Sequence, residues 1–220
     1  MGGTEESIGA LRETIEQSIA LEQYEIELGG SVFAWHRPAD PERLLEAAAA
    51  NTLNAPESID PFWATTWRAA VGLDRFLQRL DLVGKRVLEL GCGSGQAGVA
   101  AAARGALVTL TDSVLLALQV ARLNAWPLRA QIETRVLIWG TTQLDSGPYP
   151  IIIGSDLVFD PSLFPVLESS ARCHLAPGGT LYLSEPHRHT GDKFATWICD
   201  RGWRAIQHNI DLTDHRVPIR

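Results

Sequence analysis

Apolar residues recur along this chain at two different periods, and the switch between them lays out the elements. Ile8, Leu11, Ile15 and Ile19 fall at three- to four-residue steps, which predicts an amphipathic helix over about 8–22. Residues 24–28 (YEIEL) and 31–36 (SVFAWH) alternate instead, on either side of Gly29-Gly30, the pattern of a β-hairpin. Asp40-Pro41 reads as an N-cap with proline in the first turn and opens a helix to about residue 50. Residues 51–60 read as loop. Trp63 and Trp67, four apart, are expected on one helical face, and the helix continues over 69–80.

From Lys85 onward the pattern becomes regular. Residues 86–90 (RVLEL) predict a short buried strand, followed by glycines at 91, 93, 95 and 98 and an alanine-rich helix over 96–104. Further strands are expected at 106–110, 131–138, 149–154 and 180–184, with helices at 113–126, 160–175 and 192–200 between and after them. The unbroken run Ile151-Ile152-Ile153 marks a strand covered on both faces. Residues 203–212 and 215–219 read as final strands. Strands alternating with helices predict an α/β fold of three layers: a Rossmann-like, seven-strand sheet, mostly parallel, with one antiparallel strand near the C-terminus. Residues 1–84 are expected to form a helix-and-hairpin extension packed on a core of residues 85–220, in one domain overall.

Composition narrows the classes. The net charge of -7 argues against a nucleic-acid surface, which needs clustered Lys and Arg. Cys92, Cys173 and Cys199 are far apart, with no CxxC and no Cys/His cluster, so neither a metal site nor a disulfide framework is expected, and a reducing cytoplasm fits. The polar, acidic first seventeen residues do not read as a signal peptide, and no apolar run is long enough for a bilayer. Nothing in the pattern offers a spare apolar face, so a monomer is expected.

The glycine stretch admits two ligands. Gly93-x-Gly95-x-x-Gly98 matches a dinucleotide fingerprint, which alone is weak. Glu89 precedes the first glycine by two residues, giving Glu-x-Gly-x-Gly-x-Gly. A carboxylate there repels a pyrophosphate and suits a cationic ligand. S-adenosyl-L-methionine, with a sulfonium, an ammonium and no phosphate, fits that charge. Asp112 closes the second core strand, where an acid accepts hydrogen bonds from ribose hydroxyls in either ligand. The short segment beyond Gly140 leaves no second mononucleotide half.

These features resemble the class I S-adenosylmethionine-dependent methyltransferases. More narrowly, the chain is similar to the methyltransferase-like family of seven-strand protein lysine methyltransferases, which includes those acting on the electron-transfer-flavoprotein β-subunit. The resemblance spans roughly residues 60–190. It rests on Pro61-Phe62-Trp63 with Trp67-Arg68-Ala69-Ala70, the 85–95 glycine motif, Thr111-Asp112, Leu123-Asn124, Trp139-Gly140, and Ser155-Asp156-Leu157-Val158-Phe159 followed by Leu163-Phe164.

The resemblance implies methyl transfer from S-adenosyl-L-methionine, leaving S-adenosyl-L-homocysteine, to a protein lysine. A small-molecule amine N-methyltransferase and a catalytically inactive cofactor-binding interaction module are the alternatives. By the same resemblance, Trp67 flanks the cofactor. Gly91, Cys92 and Gly93 wrap its methionine part, within the motif that also holds Glu89 and Gly95. Asp112 takes the ribose with Ser113 beside it, Trp139 lies by the adenine, and Ser155 closes the pocket. Asp156 and Glu185 are the candidate catalytic carboxylates; the His187/His189 pair reads first as exposed loop, with a role as base the alternative. The family's Asp-x-x-Tyr is Asp156-Leu157-Val158-Phe159 here, without the phenolic hydroxyl. The partner implied is a methyl-acceptor protein or small amine, with neither nucleic acid nor membrane.

Overall fold

The computed structural model describes residues 7–44, 46, 61–214 and 216–220. Its first helix, Ile8–Glu16, is capped by Ser7, whose Oγ accepts from the Ala10 N–H at 3.1 Å. The helix is shorter than its apolar spacing predicts, because the chain has entered β1 (Leu21–Leu28) by Leu21. β1 pairs antiparallel with β2 (Ser31–Pro38) around Gly29 (φ 63) and Gly30 (φ 82), two left-handed residues of a tight hairpin turn. A Cβ on Gly29 would lie 2.6 Å from Ala103 Cβ, so that turn also needs glycine in order to sit against the core. Of the helix expected at 41–50, the described residues are helical, and Asp40 Oδ1 accepts from the Arg43 N–H at 3.0 Å. The rest, with the loop expected at 51–60, lies outside the described residues.

Trp63 and Trp67 do not share a helical face. Pro61–Ala64 is one 3-10 turn, and Trp67 is extended (φ -92, ψ 137) as the N-cap of the helix Arg68–Leu77. The β-branched pair Thr65-Thr66 separates the two, and such residues favour extended backbone. Trp63 is therefore buried while Trp67 stands half-exposed.

The core sheet is five parallel strands in the order β5-β4-β3-β6-β7. They are β3 (Arg86–Glu89), β4 (Leu107–Asp112), β5 (Ile132–Val136), β6 (Tyr149–Ser155) and β7 (Leu175–Ser184). Alternation sends successive side chains to opposite faces. Val87 and Ile153 join one core with the hairpin's Leu28, Phe33 and Trp35 and the helices Arg68–Leu77, Gln96–Ala103 and Leu115–Asn124. Leu88 and Ile152 join the other with the helices Phe164–His174 and His189–Cys199. The result is the three-layer, Rossmann-like α/β fold, in which the hairpin is a two-stranded sheet of its own packed on the five-stranded one, so that the described residues hold seven strands in two sheets.

The antiparallel strand expected over 203–212 is reduced to a single bridge between Ile210 and Ile219. Trp203, Ile206, Ile210 and Leu212 do not keep strict alternation, and Ile206 is 64% exposed. Side chains hold this segment instead. The Arg68 guanidinium forks onto Asp214 with both contacts at 2.6 Å, and Arg75 Nη1 donates to the Asp211 carbonyl at 2.9 Å. No helix among the described residues is long and apolar enough to cross a membrane.

Candidate functional site

β3 lies between β4 and β6, so the chains leaving β3 and β6 diverge at the carboxyl edge of the sheet. Open α/β sheets bind ligands in the crevice this leaves. A cavity of about 450 Å³ opens at that point. Its walls come from the glycine loop after β3, the end of β4, the chain after β5, the end of β6 and the Phe62–Trp67 segment.

The glycine loop is bare because its neighbours fill the space. A Cβ on Gly91 (φ 57) would lie 2.8 Å from Leu157 Cδ2 and 3.3 Å from Trp139 Cζ2. One on Gly93 (φ 51) would lie 3.3 Å from the Trp63 carbonyl oxygen. Gly93 also donates its N–H to Asp112 Oδ2 at 2.9 Å, while Val114 donates to Oδ1 at 3.0 Å. Asp112 thus both caps the turn into the next helix and ties β4 to the loop, which fixes its carboxylate in the cavity wall. Gln96 lines the same wall at the start of its helix, with Oε1 buried and without a hydrogen-bond partner among the described residues.

Aromatic rings form the rest. Trp67 donates its Nε1–H to the Phe62 carbonyl at 2.9 Å. Phe62 meets Trp67 edge-on at 6.2 Å and Phe159 at 5.7 Å between ring centroids. Phe62 is 45% and Phe159 36% exposed, so this trio is an aromatic rim on the cavity. Trp139, half-buried, lies on the wall beside Leu137 and Ile138.

Asp156 brings charge to the end of β6. It is buried, has left-handed backbone (φ 59), and donates its N–H to the Ser184 carbonyl at 2.7 Å. Non-glycine residues held in that conformation often mark functional sites. Both carboxylate oxygens accept from the Arg188 guanidinium, Nη2 to Oδ2 at 3.1 Å. Burial pushes the Asp156 carboxyl above the usual range, and Arg188 pulls against that rise.

Of the residues anticipated from sequence, Trp67, Gly91, Cys92, Gly93, Asp112, Ser113, Trp139, Ser155 and Asp156 all line the cavity. Glu89, Gly95 and Glu185 do not. Glu89 is sealed beneath the loop, where Oε2 accepts from the Gly98 N–H at 2.8 Å. Burial pushes its carboxyl up to about 8, so the charge argued for it from sequence is mostly absent at neutral pH. Gly95 (φ 89) is the N-cap residue of the helix Gln96–Ala103 and shapes the loop from behind. Glu185 is buried against Arg220 (2.5 Å) and accepts from the Arg188 N–H at 2.6 Å. Phe62 and Arg188 line the cavity without having been singled out. The sequence carried one signal for Arg188: it follows a strand that ends at the same sheet edge as Asp156.

A family described as lysine methyltransferase matches residues 57–198. The chain is 35% identical over 131 residues to EEF1A lysine methyltransferase 3 of Mus musculus, covering 57% of this chain and 56% of that protein. It is 39% identical over 130 residues to protein N-lysine methyltransferase METTL21A of Danio rerio, covering 54% and 58%. The matched stretch thus spans little more than half the length of these curated relatives. Among solved structures, ribosomal protein L11 methylase from Lactobacillus delbrueckii subsp. bulgaricus superposes with TM-score 0.54 at 19% identity, over 71% of this chain and 79% of that one. A putative RNA methyltransferase from Pyrococcus horikoshii gives 0.55 at 18%, over 76% and 85%. At such identities the fold is what these structures share with this chain.

Proposed function

The chain belongs to the lysine methyltransferase family, and from that membership we propose that it transfers the methyl group of S-adenosyl-L-methionine to the side-chain amine of a protein lysine. The observation that carries the reading is the cavity itself, which joins the bare glycine loop and Asp112 to a buried carboxylate, Asp156, under an aromatic rim. The residues present fit the cofactor. A loop that has no room for Cβ atoms can take a ligand against its backbone. Asp112 is anchored by two backbone N–H groups, and each carboxylate oxygen can accept more than one bond, so ribose hydroxyls can share it. Trp139 offers a flat face for the adenine, and Trp67 a π face for a cationic chain. When bound, the cofactor supplies a methyl carbon already activated by its sulfonium.

What remains for the protein is alignment, exclusion of water and handling of one proton. The aromatic rim of Phe62, Trp67 and Phe159 covers the aliphatic stem of an incoming side chain. Asp156 meets its cation and, being a stronger base than an ordinary carboxylate, takes the proton that frees the nitrogen lone pair. Phe159 offers no hydroxyl, so orientation of the nitrogen falls to Asp156. The shared core of the hairpin and β3 supports treating residues 1–84 as an extension of one domain. The free cysteines fit a cytoplasmic setting, and the -7 charge suits work on a basic protein surface.

Two measurements test this. Incubation with radiolabelled S-adenosyl-L-methionine and a cell extract should label lysines of one or a few proteins; label confined to small metabolites would overturn the protein acceptor. In calorimetry, Asp112→Ala should weaken S-adenosyl-L-homocysteine binding by about 1.5–3 kcal/mol, roughly ten- to 150-fold. An unchanged affinity would remove Asp112 from the site.

A further inference from the structure

At the carboxyl end of β7 five charged side chains, from Asp192 through Arg220, Glu185 and Arg188 to Asp156, form a chain of alternating sign that ends in the cavity. Arg220 Nε lies 2.5 Å from Glu185 Oε1, and its Nη1 reaches Asp192. Glu185 Oε2 accepts from the Arg188 N–H at 2.6 Å, and the Arg188 fork closes on both oxygens of Asp156. The backbone doubles one link: Glu185 and Arg220 exchange two N–H to carbonyl bonds, at 2.9 and 3.0 Å. Arg220 Nη2 also donates to the Arg188 carbonyl at 3.4 Å. A Cβ on Gly191 would lie 2.5 Å from the Glu185 carboxyl carbon, so the backbone there closes directly against that acid.

This arrangement has a chemical consequence. A carboxyl group buried without a cation loses its proton only at raised pH, and a neutral acid has little pull on an ammonium. A bidentate guanidinium both keeps the charge and fixes the plane of the carboxylate. It uses one lone pair on each oxygen and leaves acceptor capacity on both. Glu185 and Arg220 hold the backbone of Arg188, so the fork approaches Asp156 from a fixed point. We propose that Arg188, anchored through Glu185 and Arg220, is a positioning residue that keeps the Asp156 carboxylate charged and turned toward the cation of the methyl acceptor. The proposal rests on the reading of Asp156 as the acceptor's partner. The charges facing Asp156 are Arg188 and, from the end of β7, Glu185, whose own charge is met by Arg220. His187 and His189 act on Asp192 instead.

The test follows the Asp156 carboxyl carbon by NMR through a pH titration of the free protein, in the wild type, R188M, R188K and R220M. In R188M the Asp156 midpoint should rise by about one pH unit or more, R188K should restore most of it, and R220M should shift it less in the same direction. A midpoint unmoved in R188M overturns the proposal. If R188M does not fold, an unmoved midpoint in R220M overturns it. Labelling of extract protein from radiolabelled S-adenosyl-L-methionine should fall several-fold in R188M at about one pH unit below its raised midpoint and recover in alkali. A uniform fall at every pH is the mark of a merely structural role and counts against it. A midpoint that moves in R188M while the wild type labels no protein upholds the positioning role and overturns the protein-lysine reading.

Discussion

Glu89 gives the fold a preference for acid. Its carboxyl titrates at about 8 in the folded chain against an ordinary 4.5, because burial disfavours the charged form. Between those values the folded state holds more protons than the unfolded one, so its contribution to stability falls as pH rises. Above about 8 the loss is complete, and below 4.5 the group has no effect. Glu89→Gln keeps the acceptor for Gly98 N–H and removes the titration. Urea unfolding between about pH 5 and about pH 8.5 should show a flatter profile in this variant than in the wild type, the difference growing toward alkali. Equal slopes would mean that Glu89 is ionised in the fold. At the same scale Asp112 has two roles at once: it caps the turn into the next helix and presents its carboxylate in the cavity wall.

At the scale of elements, Asn124 is where the N-terminal hairpin meets the glycine loop. It accepts from the His36 N–H at 2.7 Å and donates to the carbonyls of His36 (3.0 Å) and Ser94 (3.1 Å). All of this is buried. Asn124→Leu fills the volume but leaves three backbone groups on two elements without partners, at about 1–3 kcal/mol each, so about 3 kcal/mol or more overall. Chemical denaturation measures it; a cost under about 0.5 kcal/mol would show that water replaces the amide. The sequence showed Leu123-Asn124 only as a motif, since nothing local indicates a partner 88 residues away. Where side-chain period and glycine decide the backbone, as in β1–β2 and the strands from β3 to β6, the elements were legible, whereas β7 begins at Leu175, five residues before the strand expected at 180–184. Trp63 and Trp67 were not, because two intervening threonines broke a helix that spacing alone suggested. Glu89 and Glu185 were misplaced for a shared reason: an acid's position in sequence gives its distance from a loop, but not whether its head points into the cavity or under the floor. The C-terminal strand failed because arginine forks from the helix Arg68–Leu77, rather than a ladder, hold that segment.

For the whole molecule, the charge of -7 bears on how an acceptor arrives. A basic protein surface is drawn to an acidic one through several charges at once, and salt screens that attraction over about 10 Å at 0.1 M. Methylation of a protein lysine is therefore expected to lose kcat/KM as salt rises from about 0.02 to about 0.3 M, mostly through KM. A single small ammonium should show a much weaker dependence. A flat salt profile with a protein acceptor would show that net charge does not steer its docking.

The tie through Asn124 has a dynamic consequence. The hairpin lies outside the cavity lining, yet one side chain is hydrogen-bonded to both β2 and the loop that bounds the cavity. If they open as a unit, their amide protons exchange with solvent at a common free energy, as one cooperative block. A ligand that clamps the glycine loop should then slow deuterium uptake across β2, and Asn124→Leu should abolish that distant protection while leaving protection at the loop.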